Sequence, residues 1–283
     1  MEYYTLNNGI KIPALGLGTY KFSPHEAYES VLNAIKLGYE LIDTAQYYEN
    51  EVAIGNAIKD SLVSRDKIFL STKIWPSYYL DDLAVEKSLK RLKVDYIDLM
   101  FLHQPCGDYI HAYKILEKAY EKGLIRSIGL SNFEENELDE ILKICKIKPQ
   151  VMQLELHPYY QEESIRVKLL KEDIQVMSWY PLGHGDKYLL NEPILNEMSN
   201  TYYRTNAQLL IKWQLEHRFI CIPGAHNMQY LEANLNSFNY SLKEADIKLI
   251  DNLNKQKRYY QRSDEKFEKY LNMSLNLDNQ IER

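Results

Sequence analysis

The chain has 283 residues, enough to bury a large core and compatible with a single α/β barrel. Hydrophobic residues make up 45% and charged residues 26%, proportions of an ordinary globular protein rather than a disordered one. A net charge of -6 disfavours nucleic acid as the main partner, while leaving room for a local basic pocket that takes one phosphate.

Residues 1–5 contain neither a basic region nor an apolar run, so no signal peptide is expected. No apolar stretch approaches the ~20 residues that cross a bilayer, and no membrane association is expected. Residues 3–13 read as a hairpin turning at Asn7-Asn8-Gly9. From there short apolar runs alternate with stretches of helical period. The strand-like runs are 14–17, 40–43, 67–72, 96–102, 125–130, 151–156, 174–179 and 219–223. The first helical stretch, 24–37, opens after Ser23 with proline at its first position and stops at Gly38. Helical stretches at 50–62, 82–92, 109–122, 135–146, 162–171, 206–216, 228–236 and 243–254 follow. Cys106, Cys145 and Cys221 are odd in number and widely spaced, which fits three reduced thiols rather than a disulfide or zinc framework. A cytoplasmic protein is expected.

Strands that alternate with helices form a parallel sheet, and eight such units match a closed (β/α)8 TIM barrel. An open doubly wound sheet would bind a dinucleotide through G-x-G-x-x-G. The nearest approach, Gly16-Leu17-Gly18-Thr19-Tyr20-Lys21, lacks the third glycine. The expected organisation is one domain over 1–283, with a barrel of about 14–254 and a polar, irregular tail over 255–283 that is either a lid or a solvated end.

The C-terminal ends of the strands carry Asp43, Lys73, His103 and Ser131-Asn132, each about 30 residues after the last, the length of one strand-helix unit. Tyr48 follows Asp43 closely, Trp75 follows Lys73, Gln153 sits on the sixth strand with Glu155 and His157 beyond it, and Trp179 ends the seventh. In a barrel these residues converge on the face where active sites lie. Singly, each has an ordinary structural use: a cap, a packed ring, a surface lysine, a core histidine. Together they suit carbonyl reduction, in which hydride reaches the carbon and the oxygen takes a proton. Tyr48 is the expected proton donor, with Lys73 lowering its pKa from the usual ~10. Asp43 is expected to hold Lys73 charged, and His103 to bond the carbonyl oxygen. Trp179 is suited to stack on a nicotinamide ring, and Ser131, Asn132 and Gln153 to hold its carboxamide.

On these residues the sequence resembles the aldo-keto reductase family, including aldose reductase-like enzymes. The resemblance runs from about residue 6 to about residue 254. It is carried by Gly16-Leu17-Gly18-Thr19, Asp43-Thr44-Ala45-Gln46-Tyr47-Tyr48-Glu49-Asn50-Glu51, Ser71-Thr72-Lys73-Ile74-Trp75 and Leu102-His103-Gln104-Pro105. Ile128-Gly129-Leu130-Ser131-Asn132-Phe133, Gln153-Leu154-Glu155-Leu156-His157-Pro158 and Trp179-Tyr180-Pro181-Leu182-Gly183 complete it. The resemblance implies an extended cofactor on a barrel without a Rossmann domain, with Tyr48 as donor and Asp43, Lys73 and His103 assisting. It implies cofactor contacts from Gly18, Thr19, Asp43, Ser131, Asn132, Gln153, Trp179, Tyr180, Leu182 and Gly183. A second group, Ile222, Pro223, Gly224, Ala225, Tyr230 and Asn234, would follow the last strand. Tyr20, Trp75, His103 and the tail would border the pocket of a small aldehyde or ketone.

Two departures stand out. The family's Lys-Ser after Ile-Pro, and its following Arg, clasp the 2′-phosphate of NADP; here Gly224-Ala225 and Tyr230 take those places. Two charge-assisted phosphate bonds are thereby absent. The resemblance favours NADP(H), and the local chemistry leaves NAD(H) or dual use open, with a modest preference expected. Gln104 replaces an aromatic residue and is expected to alter substrate fit.

Rival readings are weaker. A Schiff-base aldolase needs a neutral lysine, which Asp43 would oppose. No metal is expected, since H-E-x-x-H is absent and His184-Gly185-Asp186 reads as a cofactor-covering loop. G-x-S-x-G is absent. A non-catalytic sensor that binds nicotinamide nucleotide is the alternative from another class, against which the retained Asp43, Tyr48, Lys73 and His103 argue. The polar composition is compatible with a monomer or weak dimer.

Overall fold

The structure, a computed structural model, describes residues 1–280; the last three residues of the tail lie outside the described part. Strands β1 (Tyr3–Thr5) and β2 (Lys11–Pro13) form the expected antiparallel hairpin. Asn7 and Asn8 tie its turn to the backbone of Arg126, Pro149 and Asp173. Those residues precede barrel strands, so the hairpin covers the N-terminal end of the barrel, opposite the face where the side chains of interest gather.

Eight parallel strands make the barrel: β3 (Gly16–Gly18), β4 (Leu41–Asp43), β5 (Phe69–Ile74), β6 (Leu99–Leu102), β7 (Ile128–Ser131), β8 (Val151–Glu155), β9 (Gln175–Trp179) and β10 (Ile220–Cys221). Each pairs with its sequence neighbour, and the seam closes where Leu15 bridges to Cys221 in parallel. The Cys221 N–H donates to Ala14 O at 2.9 Å and the Gly18 N–H to Pro223 O at 3.3 Å across that seam. A Cβ at position 18 would stand 2.7 Å from Ile222 O, so the seam closes only on a glycine. The strands are buried on both faces, which is why they read as apolar runs rather than alternating ones.

Helices α1 (Pro24–Lys36), α2 (Glu51–Asp60), α3 (Ala84–Leu92), α4 (Tyr109–Glu121), α5 (Glu135–Ile144) and α6 (Glu163–Lys171) wrap the first six strands. The Ser23 hydroxyl and the Glu26 carboxylate cap the start of α1 reciprocally, as the Ser23-Pro24 pair predicts. After β9 come α7 (Lys187–Leu190), α8 (Pro193–Tyr202) and α9 (Asn206–Glu216). After β10 come α10 (Met228–Leu235), α11 (Glu244–Asp251) and α12 (Asp264–Leu271).

Strand edges and some helical segments depart from the expectations. The run at 67–72 begins as a strand only at Phe69, because Arg65–Lys67 is a 3₁₀ turn that brings the chain into register. Helices α7 and α8 fill the gap before α9; α8 carries Pro193 at its first position and buries Leu195 and Met198, three apart. The tail is not irregular throughout: Ser263 caps α12 by accepting from the Lys266 N–H. All three cysteines are free thiols. Among the described residues no helix is long and apolar enough to cross a membrane.

Candidate active site

At the C-terminal mouth of the barrel lies a cavity of about 520 Å³. Its wall includes Asp43, Tyr48, Trp75, His103, Ser131, Asn132, Gln153 and Trp179, so residues separated by more than a hundred positions meet at one place.

Tyr48 is carried by a 3₁₀ turn, Gln46–Tyr48, between β4 and α2. The residues around it build that turn from within. Gln46 accepts from the Trp75 N–H at 3.0 Å and donates to Ser88 at 3.1 Å. Asn50 accepts from the Thr44 hydroxyl at 2.7 Å and donates to Thr19 O at 3.1 Å. Glu51, fully buried, accepts from Thr72 at 2.7 Å and from Arg91 at 2.6 Å. The stretch from Asp43 to Glu51 thus combines one cavity-facing segment with the buried polar braces that hold it. Gln46, Asn50 and Glu51 are braces that reasoning from strand ends passed over; a polar run, 43–51, that starts at the last residue of the apolar strand β4 is the signal.

Lys73 and Asp43 form a buried ion pair on adjacent strands, Nζ to Oδ2 2.6 Å. Lys73 also donates to Thr44 O at 2.8 Å and to the Tyr48 hydroxyl at 3.4 Å. The second carboxylate oxygen of Asp43 accepts from Ser71 at 2.7 Å and Gln153 at 3.2 Å. Burial lowers the Lys73 pKa while Asp43 opposes that shift. The expected lowering of the Tyr48 pKa by Lys73 is not found. Burial, and then the negative charge of Asp43, hold the phenol well above its ordinary value. Burial is the larger cause, and the lysine charge is met by Asp43 at 2.6 Å, closer than the Tyr48 hydroxyl at 3.4 Å.

His103 sits edge-on to Trp75 at 5.0 Å and to Tyr48 at 5.9 Å, between ring centroids. Burial, and then the charge of Lys73, push its pKa well below the usual 6.5, so the ring is neutral. Its Nδ1 is buried without a partner. Trp75 stacks on Tyr47 at 4.3 Å, and Tyr20 lies 5.1 Å from Tyr48. On the other side the Trp179 Nε1–H donates to Asn132 Oδ1 at 3.0 Å, which fixes the indole plane, and Asn132 donates to Ser131 Oγ at 3.1 Å and His103 O at 3.3 Å. Lys21, Asn132, Tyr180 and His184 all line the cavity with positive φ, a cost of about 1–3 kcal/mol each that tends to gather at functional sites.

Gly18, Thr19, Tyr20, Tyr180, Leu182, Ile222, Pro223 and Gly224 extend the same wall. Gly183, Ala225, Tyr230 and Asn234 stand outside it: Ala225 and Asn234 are buried in the segment that continues into α10, whereas Tyr230 is 62% exposed. The tail supplies Tyr259, Tyr260, Lys266 and Tyr270 to the rim, in keeping with the expectation that it borders the pocket. Among the described residues no three His, Cys, Asp or Glu side chains gather as a metal site.

The residues suit an extended nicotinamide nucleotide. A fixed indole, an amide pair and a serine meet at the floor, and an uncharged track at Ile222-Pro223-Gly224 leads away from it. A Cβ at Gly224 would meet only ordinary contacts, so the track has room beside it.

Residues 14–255 match the model of the Aldo/keto reductase family. The chain is 39% identical over 265 residues to glyoxal reductase of Bacillus subtilis (strain 168), covering 92% of this chain and 95% of that protein. It is 35% identical to morphine 6-dehydrogenase of Pseudomonas putida, with 88% and 90% covered. Among solved structures, an aldo/keto reductase from Brucella melitensis superposes with a TM-score of 0.86 at 35% identity, covering 89% of this chain and 99% of that one. An aldo-keto reductase enzyme from a Medee basin deep-sea metagenome library gives 0.89 at 34% identity, covering 92% and 98%.

Proposed function

The chain belongs to the aldo/keto reductase family, and from that premise we propose that it reduces a small aldehyde or ketone to an alcohol with NADP(H), using Tyr48 as proton donor. The family is one of oxidoreductases that act on carbonyl groups with nicotinamide cofactors. The observation that carries the finer reading is the approach of Lys73 Nζ to the Tyr48 hydroxyl at 3.4 Å beside a neutral His103.

A bound nicotinamide supplies the hydride that goes to the carbonyl carbon. Tyr48, held as the phenol, gives its proton to the carbonyl oxygen and is later reprotonated from water. Lys73 is the nearest cation to the phenolate so formed, and Asp43 keeps that lysine charged and in place. His103 aligns the carbonyl by a hydrogen bond to its oxygen. Asn132, Ser131 and Gln153 would hold the carboxamide of a nicotinamide, and Trp179 would pack against its ring. Tyr20, Tyr47 and Trp75 exclude water from the reacting atoms.

With neutral Gly224 and exposed Tyr230 near the adenosine end, the preference for NADPH over NADH is modest. The composition suits a cytoplasmic monomer or weak dimer that works as one domain without a nucleic-acid partner.

The test is consumption of NADPH, and separately of NADH, with 4-nitrobenzaldehyde and with glyoxal, chosen because a similar protein is named a glyoxal reductase. Turnover with either carbonyl supports the reading. Nucleotide binding without turnover across a broad carbonyl panel favours a nucleotide sensor instead.

A further inference from the structure

Glu155 ends β8 and takes no part in the proton transfer above, yet its carboxylate is closed off from water and met by two backbone donors and a histidine ring nitrogen. The backbone N–H of Tyr259 donates to Oε1 at 2.7 Å and that of Tyr260 to Oε2 at 2.9 Å. His157 Nε2 lies 3.1 Å from Oε1. One buried carboxylate therefore grips two consecutive backbone N–H groups of the tail, one with each oxygen. Bonds of this kind are charge-assisted and about twice as strong as neutral ones.

The two gripped residues point to different parts of the cavity. The Tyr259 hydroxyl donates to Asp186, which follows the 3₁₀ turn Gly183–Gly185 on the Leu182 side, and Lys257 pairs with the same carboxylate. The Tyr259 and His157 rings lie 5.0 Å apart, between centroids. The Tyr260 hydroxyl donates to Gln104 Oε1 at 3.2 Å, next in the chain to His103. Both tyrosine rings line the cavity. Asp186 is drawn down to about 2: burial pushes it up, but hydrogen bonds from Lys257 and Tyr259 outweigh that.

We propose that Glu155 is a positioning residue that clamps the tail across the mouth and, through Tyr259 and Tyr260, sets the affinity for nucleotide and for carbonyl substrate separately. The proposal rests on the reading of the cavity as a nucleotide and carbonyl site. Tyr259 steadies the loop over the nucleotide through Asp186. Tyr260 completes the substrate wall through Gln104. Glu155 holds both at once because its oxygens serve adjacent residues.

The experiment compares the full chain with Glu155→Gln, Tyr259→Phe and Tyr260→Phe. The readouts are NADPH dissociation constant, KM and kcat for 4-nitrobenzaldehyde, and the rate of tryptic cleavage between residues 255 and 266. A glutamine places an amide NH2 against one of the two N–H groups, so Glu155→Gln should raise both the NADPH Kd and the aldehyde KM roughly tenfold and speed cleavage by a similar factor. In a folded variant kcat changes far less than either constant. Tyr259→Phe should weaken NADPH with little effect on KM, and Tyr260→Phe the reverse; both keep the backbone donors, so they read the proposal even where Glu155→Gln does not fold. Wild-type cleavage and constants in Glu155→Gln, or a fall in kcat alone, overturn the proposal, as do phenylalanine variants that each move both constants or neither. Cleavage and NADPH binding need no turnover, so failure of the reductase reading is distinguishable from failure of the clamp.

Discussion

The Nζ of Lys73 donates to Oδ2 of Asp43 across 2.6 Å, and both side chains are almost wholly closed to water. Such a pair is costly to split, since either charge alone is stranded in a poorly polarisable interior. Asp43→Ala should cost about 3–5 kcal/mol in urea unfolding. Adding Lys73→Met to it should recover part of that loss, so the double variant is more stable than the sum of the single changes predicts. Strict additivity would mean that the two charges are solvated independently.

His103 is neutral because burial, and then Lys73, hold its pKa well below 6.5. In the unfolded chain the ring takes a proton as pH falls through 6.5, while the folded chain resists it. Stability from this residue is therefore complete above pH 6.5 and is lost as pH falls from there toward the folded value. Thermal melting should decline on acidification below about pH 6.5, and His103→Asn should flatten that decline. With the Tyr48 pKa raised, neither group titrates between about pH 7 and 9, so kcat for reduction should be level there.

Two glycines are set by close approach. A Cβ at Gly18 would meet Ile222 O at 2.7 Å across the barrel seam, and one at Gly55 would meet Leu92 O at 2.2 Å where α2 crosses α3. Gly18→Ala and Gly55→Ala should each cost about 1–3 kcal/mol. Gly224→Ala, with its nearest contact at 3.5 Å, is the matched control and should melt near the wild type. Calorimetry on the three variants checks the ordering.

The fold is legible because the strands, buried on both faces, read as short apolar runs, while most of the helices between them show one apolar face. The ends are less so. The N-terminal edge of β5 moves to Phe69 because a polar 3₁₀ turn precedes it, and α12 carries a helix on the rim with no fully buried residue. At the site, Asp43, Tyr48, Lys73 and His103 stand out because each ends or follows a strand; Asp43, Tyr48 and His103 line the cavity and Lys73 reaches Asp43 and Tyr48 from behind its wall. The grip of Glu155 on Tyr259 and Tyr260 was not legible, since it joins a side chain to backbone groups 104 and 105 positions away and leaves no periodic mark. The raised Tyr48 pKa is not legible in the sequence, which places Lys73 and Asp43 near the phenol but does not show the burial that outweighs the lysine charge.

The cofactor preference is open to engineering at Gly224 and Tyr230. Introducing Gly224→Lys with Tyr230→Arg would place two cations beside the proposed position of a 2′-phosphate. Each charge-assisted bond is worth about 1.5–3 kcal/mol, so the NADPH-to-NADH ratio of kcat/KM should rise at least tenfold, mainly through tighter NADPH. An unchanged ratio would mean that the phosphate lies elsewhere.

The central claim is that Tyr48 delivers the proton. The most direct measurement is NADPH consumption with 4-nitrobenzaldehyde by the wild type and by Tyr48→Phe, together with NADPH binding to both. The variant should lose at least a hundredfold in kcat while its NADPH affinity stays within a few-fold of the wild type, since only the proton donor is removed. Turnover by Tyr48→Phe at near the wild-type rate would contradict the account.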